Sequence, residues 1–178
     1  MSASEEELNS KQYLSFILRD EHFAVEIKKV REVLDVTTLT KVPRMPDYIS
    51  GVINLRGAVV PVIDLGFRLG MEPVEKTVNT CIMIVEITVE IEENPVEMGV
   101  LTDAVQEVLD LGASDIEPAP KMGSGLNTEF IKGMGRQDDR FMILLDIDKV
   151  LASEGEAMLK DLSSAEEIAE EAVEQEEG

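Results

Sequence analysis

Two short stretches of this chain recur in the same order at matched spacings, and that duplication restricts the fold more than any other feature. Val30-Arg31-Glu32-Val33-Leu34-Asp35-Val36 matches Val105-Gln106-Glu107-Val108-Leu109-Asp110-Leu111. Pro43 lies thirteen residues after Val30, and Pro118 thirteen after Val105. A second pair of blocks starts at Ile49 and Ile131. Gly51 and Gly133 follow two residues on, Asp64 and Asp146 fifteen on, and Leu69 and Leu151 twenty on. The interval between the blocks is seven residues longer in the second copy, and the excess falls in the Gly-, Pro- and Ser-rich loop from Pro118 to Asn127. Two similar small units follow. Neither is large enough to bury much apolar surface alone, so their apolar faces are expected to pack together, and the groove between them is a natural partner site.

The local pattern makes these units β-rich. Tyr13 to Leu18 alternates with period two, and His22 to Ile27 follows after a turn at Asp20-Glu21. Val30 to Val36 fits either a helical turn or a strand. Val52 to Leu55 and Ala58 to Ile63 are β-formers around Arg56-Gly57, with Pro61 suggesting an edge or a bulge. Thr80 to Thr88 and Glu97 to Leu101 form an outward and a return strand. Val105 to Leu111 is apolar and periodic. Phe130 to Met134 and Phe141 to Ile147 flank a Gln137-Asp138-Asp139 turn and read as a hairpin. No helix-length segment separates consecutive strands before residue 147, so small barrels are expected rather than a doubly wound sheet. Asp64 and Asp146 are placed to cap short helical turns. A weakly apolar stripe, Leu159, Leu162, Ala165, Ile168, Ala169, Ala172 and Val173, predicts a C-terminal helix from about Asp148, with capping spacings at Ser153-Glu156 and Ser164-Glu167. The organisation expected is an acidic flexible segment over 1–10, a duplicated β domain over 11–152, and a helix with a fraying acidic tail over 153–178.

The formal charge of -21 arises from 37 acidic and 16 basic residues. Residues 153–178 hold ten acids against one base, and residues 1–10 three acids and no base, so the two ends supply more than half of it. Ten bases lie between Lys11 and Lys76, and none between Thr77 and Pro120. Such a balance disfavours nucleic acid and anionic membranes as partners, and the asymmetry suggests a protein surface read by charge. No basic n-region opens the sequence, and no apolar run approaches the ~18 residues that span a bilayer, so a reducing cytosol is the expected compartment.

No catalytic constellation emerges. A single cysteine, Cys81, and a single histidine, His22, exclude an internal disulfide and a Cys/His zinc site. Cys81 opens an apolar strand and reads as a buried thiol; His22 reads as structural or superficial. Gly123-Ser124-Gly125 lacks the context of a dinucleotide site, and Gly133-Met134-Gly135-Arg136 lacks the Lys-Ser/Thr of a phosphate loop. Asp146-Ile147-Asp148 lacks the pattern of a calcium loop. No metal and no cofactor are expected. One turn does ask for a partner: Asn54-Leu55-Arg56-Gly57 sets an arginine between two very apolar stretches, where it either pairs within the body or serves binding.

The run Val42-Pro43-Arg44-Met45-Pro46-Asp47-Tyr48-Ile49-Ser50-Gly51-Val52-Ile53-Asn54-Leu55-Arg56-Gly57-Ala58-Val59-Val60-Pro61-Val62-Ile63-Asp64-Leu65 resembles the signature of the CheW-like family of chemotaxis coupling proteins. The resemblance extends through Val25 to Val33, Gly99 to Val105, Phe130 to Gly133 and Ile143 to Leu151, covering roughly residues 11 to 160. It implies a mainly β fold of two intertwined SH3-like five-stranded β-barrels with short helices and a C-terminal helix. It implies no enzyme. The family's adaptors bridge the cytoplasmic tip of methyl-accepting chemotaxis receptors and the regulatory domain of a CheA-type histidine kinase.

Carried over residue by residue, the resemblance assigns receptor binding to Arg56, Asn54, Glu32 and Val30, with Val105 and Val108 from the second unit. It assigns kinase binding to Thr40, Lys41, Val42, Pro43 and Arg44, and structural turns to Gly51, Gly57 and Gly133. The acidic stretch Glu86 to Pro95 and the tail beyond Asp161 depart from the pattern. The expectation is a cytoplasmic adaptor, recruited to receptor arrays at the inner membrane face, monomeric when free and not inserted in the bilayer. A lone coupling protein is favoured because the chain ends soon after the second unit, whereas a fused response-regulator domain would add about 100 residues or more. The alternatives are an isolated regulatory domain of a CheA-type kinase and a CheW-like scaffold reused in another two-component pathway.

Overall fold

A computed structural model describes residues 10–36, 39–41, 43–44, 47–72, 74–88, 95–118 and 128–152. The expectations for the ends (1–9 and 153–178), for the turn at 89–94, for most of the Pro118–Asn127 loop and for Val42 lie outside these residues.

The strands are β1 (Lys11–Leu18), β2 (Glu21–Glu26), β3 (Val30–Asp35), β4 (Ile49–Leu55), β5 (Ala58–Asp64), β6 (Cys81–Ile87), β7 (Val96–Thr102), β8 (Ala104–Leu111), β9 (Ile116–Glu117), β10 (Ile131–Gln137) and β11 (Arg140–Leu145). A one-turn helix α1 (Leu65–Arg68) follows β5, and residues 147–152 are helical after β11. The ambiguous Val30 segment is a strand, as is its repeat partner at Val105.

The strands form a six-stranded sheet in the order β8-β1-β2-β11-β10-β9 and a five-stranded sheet in the order β3-β6-β7-β5-β4. The repeat offsets carry β3 onto β8, β4 onto β10 and β5 onto β11, and these occupy corresponding places in the two orders. Each sheet has one parallel contact, β11 with β2 and β5 with β7, again in corresponding places. Even the irregularities repeat: the register shifts between Ile49 and Gly51 in β4, and between Ile131 and Gly133 in β10. The chain lays down β1 and β2 in one sheet, builds the whole of the other, then returns through the single residue Asp103. The units are therefore interlaced.

The mainly β fold of two intertwined SH3-like units is the one expected; their hydrogen-bonded ladders are open, six and five strands wide. Chain continuity joins their edges instead. β8, at one edge of its sheet, bends through a 3-10 turn (Ala113–Asp115) into β9, at the other edge. Beyond β3, Thr40 does the same for the other sheet, exchanging backbone hydrogen bonds of 2.8 and 2.7 Å with Val52 of β4. This bend explains two glycines expected in turns that instead lie inside strands. A Cβ on Gly51 would stand 2.4 Å from the carbonyl oxygen of Thr40, and one on Gly133 2.8 Å from that of Glu117. Gly57 does lie in a turn.

Pro61 belongs to an interior strand, not an edge. It pairs with Val52, whose own backbone groups face Thr40, and the ladder to β7 starts one residue later at Val62. The β1–β2 turn falls at Arg19-Asp20 rather than Asp20-Glu21; this turn, Arg56-Gly57 and Asp138-Asp139 all have positive φ at both central residues, the geometry that matches hairpin twist. Both expected caps form. The Phe67 N–H donates to Asp64 Oδ1 at 3.0 Å, and the Lys149 N–H donates to Asp146 Oδ1 at 3.3 Å.

The main core draws from both sheets. Leu14, Phe16 and Leu18 of β1 meet Ile53, Val62 and Ile63 of the five-stranded sheet in one cluster that also holds Ile147, Val150 and Leu151. The alternate faces of β1, β2, β8 and β11 supply a smaller second cluster, Tyr13, Ala24, Leu109, Leu111, Met142 and Leu144. Two-sided burial is why these strands read as nearly continuous apolar runs.

Candidate functional site: an exposed arginine–glutamate pair at a sheet edge

The β4–β5 hairpin presents Arg56 at its tip. Arg56 has φ 52° and Gly57 φ 86°, a two-residue turn that glycine accepts without strain. Asn54 braces it, its Oδ1 accepting the Gly57 N–H at 3.0 Å. Arg56 Nη2 lies 2.9 Å from Glu32 Oε1, with the arginine side chain 67% exposed and the glutamate 30%. β3 and β4 stand at opposite edges of their sheet, so this pair spans the gap between edges that no ladder closes. Val33, which follows Glu32 on β3, and Val59, opposite Asn54 on β5, remain 40% and 44% exposed. An exposed guanidinium fork held by a carboxylate can meet a partner directionally.

The other expected receptor-binding residues divide. Val30 is half-buried on β3 and packs against the main core, as Val105 does from β8. Val108 is half-exposed on β8, in the other sheet from Arg56. The expected kinase-binding segment crosses the β4 edge. Thr40, Lys41, Pro43 and Arg44 are all exposed, Arg44 with φ 65°, and only Thr40 is tied into the sheet.

Of the remaining candidates, His22 Nδ1 lies 3.1 Å from Gln106 Oε1 at the surface. Cys81 is partly exposed rather than buried, its thiol donating to the Asn79 carbonyl at 3.2 Å. Among the described residues no group of His, Cys, Asp and Glu is arranged to hold a metal ion, and no helix is long and apolar enough to cross a membrane.

Sequence reasoning passed over Glu26. This carboxylate closes β2 where the chain crosses between sheets, and it is only 4% exposed. Lys11 of β1, Lys28 of the crossing turn and Lys132 of β10 reach it at 3.1, 3.3 and 3.3 Å. Burial pushes its carboxyl upward, but the Lys11 hydrogen bond and the charges of Lys132 and Lys11 outweigh that and hold it below the ordinary value. Lys29 pairs with Asp148 at 2.7 Å nearby, and Arg31 with Glu86. The second crossing is pinned too, Asp103 accepting the Arg19 N–H at 2.6 Å. The available signal was an acid inside an otherwise apolar strand, Phe23-Ala24-Val25-Glu26-Ile27.

The model of the CheW-like domain family matches residues 12–155. Chemotaxis protein CheW of Klebsiella aerogenes is 34% identical over 154 residues, 86% of this chain and 89% of that one. Chemotaxis protein CheW of Rhizobium meliloti is 35% identical over 144 residues, 81% and 89% of the two chains. The crystal structure of the scaffolding protein TtCheW from Thermoanaerobacter tengcongensis is similar with a TM-score of 0.69 at 33% identity, over 79% of this chain and 92% of that one. With a family model spanning most of its length and relatives above 30% identity matched almost end to end, this chain belongs to the CheW-like domain family.

Proposed function

We propose that this chain is a non-catalytic chemotaxis adaptor that couples chemoreceptors to a CheA-type histidine kinase from the cytoplasmic side of the membrane. Membership of the CheW-like family is the observation that carries the reading; the fixed and exposed Arg56–Glu32 pair supports where it acts. The work is done by binding energy. A helical receptor tip lays its apolar side against the surface that includes Val30, Val105 and Val108, and Arg56, held by Asn54 and Glu32, adds a directional polar contact. The segment of Thr40, Lys41, Val42, Pro43 and Arg44, exposed at Thr40, Lys41, Pro43 and Arg44, meets the kinase's regulatory domain. Two separate surfaces let one small protein hold both partners, and coupling between them is measurable as a change in one affinity on occupying the other.

The test combines this protein with a chemoreceptor cytoplasmic fragment and a CheA-type kinase, all purified, and follows both co-purification and kinase autophosphorylation. A ternary complex with receptor-dependent kinase activity is the expected result. A folded, monodisperse sample that binds neither component overturns the reading.

A further inference from the structure

Four of the chain's nine lysines converge where the chain leaves β2 for the other sheet. Lys11, Lys28 and Lys132 share the single carboxylate of Glu26 at 3.1, 3.3 and 3.3 Å, and Lys29 pairs with Asp148 at 2.7 Å. Lys29 and Lys132 line one small cleft together with Glu26 and residues 145–148, which joins the four into one patch. Lys28 and Lys29 also border a cleft of about 140 Å³ with Glu86, Thr88 and Pro95. The remaining acids here are engaged. Glu86 is balanced by Arg31, and Asp146 caps the helical residues that follow, accepting the Lys149 N–H. Four ammoniums thus face three carboxylates, Glu26, Asp146 and Asp148, on a chain whose formal charge is -21. Lys11 and Lys28 keep 58% and 67% of their side-chain surface in solvent, so they retain donors for a further acid.

An acidic occupant is attached at this very place. Helical residues 147–152 start within the patch: Asp148 pairs with Lys29 and also accepts the Thr88 N–H at 2.9 Å. The chain then continues into residues 153–178, which carry ten acids against the one base Lys160. Four of those acids come in two adjacent pairs, Glu166-Glu167 and Glu170-Glu171. A flexible chain of this length has an end-to-end distance of roughly 28 Å. Residue 152 lies about 6 Å along the helix from Asp148, so the segment needs little of that reach to double back. Tethering holds its carboxylates at about millimolar effective concentration, and a free acidic partner has to displace them.

We propose that the acidic segment 153–178 folds back onto the patch of Lys11, Lys28, Lys29 and Lys132 and covers it, with its paired glutamates as the contacting groups. Each ion pair so formed is exposed and weak alone; several on one tether act together. The cover is electrostatic, so it closes at low ionic strength and opens as salt screens it. While closed, it withholds a basic patch of an acidic protein from other acidic chains. Neither the receptor nor the kinase of the proposed adaptor enters this contact, which stands or falls separately from that function.

The test is paramagnetic relaxation in the full chain, with a nitroxide on Gln175→Cys in a Cys81→Ser background whose circular dichroism matches that of the unaltered protein. At about 0.01 M salt, the amide signals of Lys28, Lys29 and Lys132 are expected to broaden at least about threefold more than those of Asp138 and Asp139, at the far end of the β10–β11 hairpin. The excess should vanish at about 1 M salt, where the screening length has fallen from about 30 Å to about 3 Å. Glu166→Gln, Glu167→Gln, Glu170→Gln and Glu171→Gln together keep the tether and should remove the excess even at low salt. Lys28→Gln, at an exposed position, should reduce it. No excess at low salt overturns the proposal. So does an excess that survives both salt and the glutamine substitutions, because the tether or the apolar stripe then places the segment. An excess seen on unlabelled protein mixed with labelled protein assigns the contact to a second copy and overturns the fold-back. Lysine signals that respond instead to glutamine at Glu5, Glu6 and Glu7, or at Glu90, Glu92 and Glu93, give the patch to those acids and overturn it as well.

Discussion

At the scale of single residues, the same amino acid does two different jobs here, and the structure ranks them. Gly57 is needed for its backbone: φ is 86°, and nothing lies within 4 Å of a Cβ placed on it. Gly51 is needed for space, with the Thr40 carbonyl oxygen 2.4 Å from that Cβ, and Gly133 likewise at 2.8 Å from Glu117. Gly57→Ala should therefore cost about 1 kcal/mol, the penalty of a left-handed backbone. Gly51→Ala should cost about 2–4 kcal/mol, because backbone on the closing segment has to move, with Gly133→Ala between them. Urea midpoints for the three variants give the order directly, and a Gly57→Ala more damaging than Gly51→Ala contradicts it. Arg56 shows the opposite balance. Its ion pair with Glu32 is mostly solvated and contributes little to folding. Arg56→Ala should shift stability by less than about 1 kcal/mol while weakening receptor binding by about 1–3 kcal/mol. An unchanged dissociation constant for the receptor fragment removes Arg56 from the site.

At the scale of elements, the crossings between sheets matter more than the strands, since strand pairing alone does not say which sheet a strand joins. Glu26 sits at the first crossing and ties β1, β10 and the turn after β2 together. Its carboxyl is held below its ordinary value of 4.5, so the charged form is the one the fold favours. The associated stability is complete above about pH 4.5 and is lost as pH falls through the lowered folded value. Glu26→Gln should then be less stable by about 1–3 kcal/mol at pH 7, and the difference should narrow on acidification below the ordinary glutamate range. Urea titrations at pH 7 and pH 3.5 check this; a gap that stays constant means Glu26 acts by shape alone. These crossings mark where sequence stopped being informative. The hairpins were legible because alternation and turn residues are local, as in Tyr13 to Leu18 or Gln137-Asp138-Asp139. The duplication foretold two similar units, and their strand orders agree. That β1 and β2 pair with β8 and β11 across more than 80 residues was not legible, nor was the meeting of Glu32 with Arg56, because both depend on how the sheet curls. The Asn-Leu-Arg-Gly turn was visible as an oddity, an arginine between apolar runs, whereas Glu26 was hidden inside a strand that scanned well without it.

At the scale of the whole molecule, interlacing decides whether two similar units behave as one. The six-stranded sheet takes β1 and β2 from the start of the chain and β8 to β11 from its end, and the main core is built from both sheets at once. Unfolding either sheet exposes the face of the other, so neither is expected to persist alone, despite the smaller private core of the six-stranded one. The chain has no tryptophan and two tyrosines, and these are placed to report the sheets separately. Tyr13 lies in the private core of the six-stranded sheet, while Tyr48 packs against the main core where the chain enters β4. Tyr13→Phe and Tyr48→Phe leave one reporter each. Tyrosine fluorescence of both variants in urea should give transitions that superimpose on one another and on the far-ultraviolet circular dichroism of the same samples, once each is corrected for its own stability. An earlier transition seen only through Tyr13 would mean that the six-stranded sheet opens while the five-stranded sheet stays folded. Val105 and Val108, the receptor-binding residues assigned to the six-stranded sheet, would then be linked to the kinase-binding segment at the edge of the five-stranded sheet by a local unfolding step, and binding at one would shift the population of the other. Superimposed transitions leave rigid-body transmission through the shared core as the only route between the two surfaces.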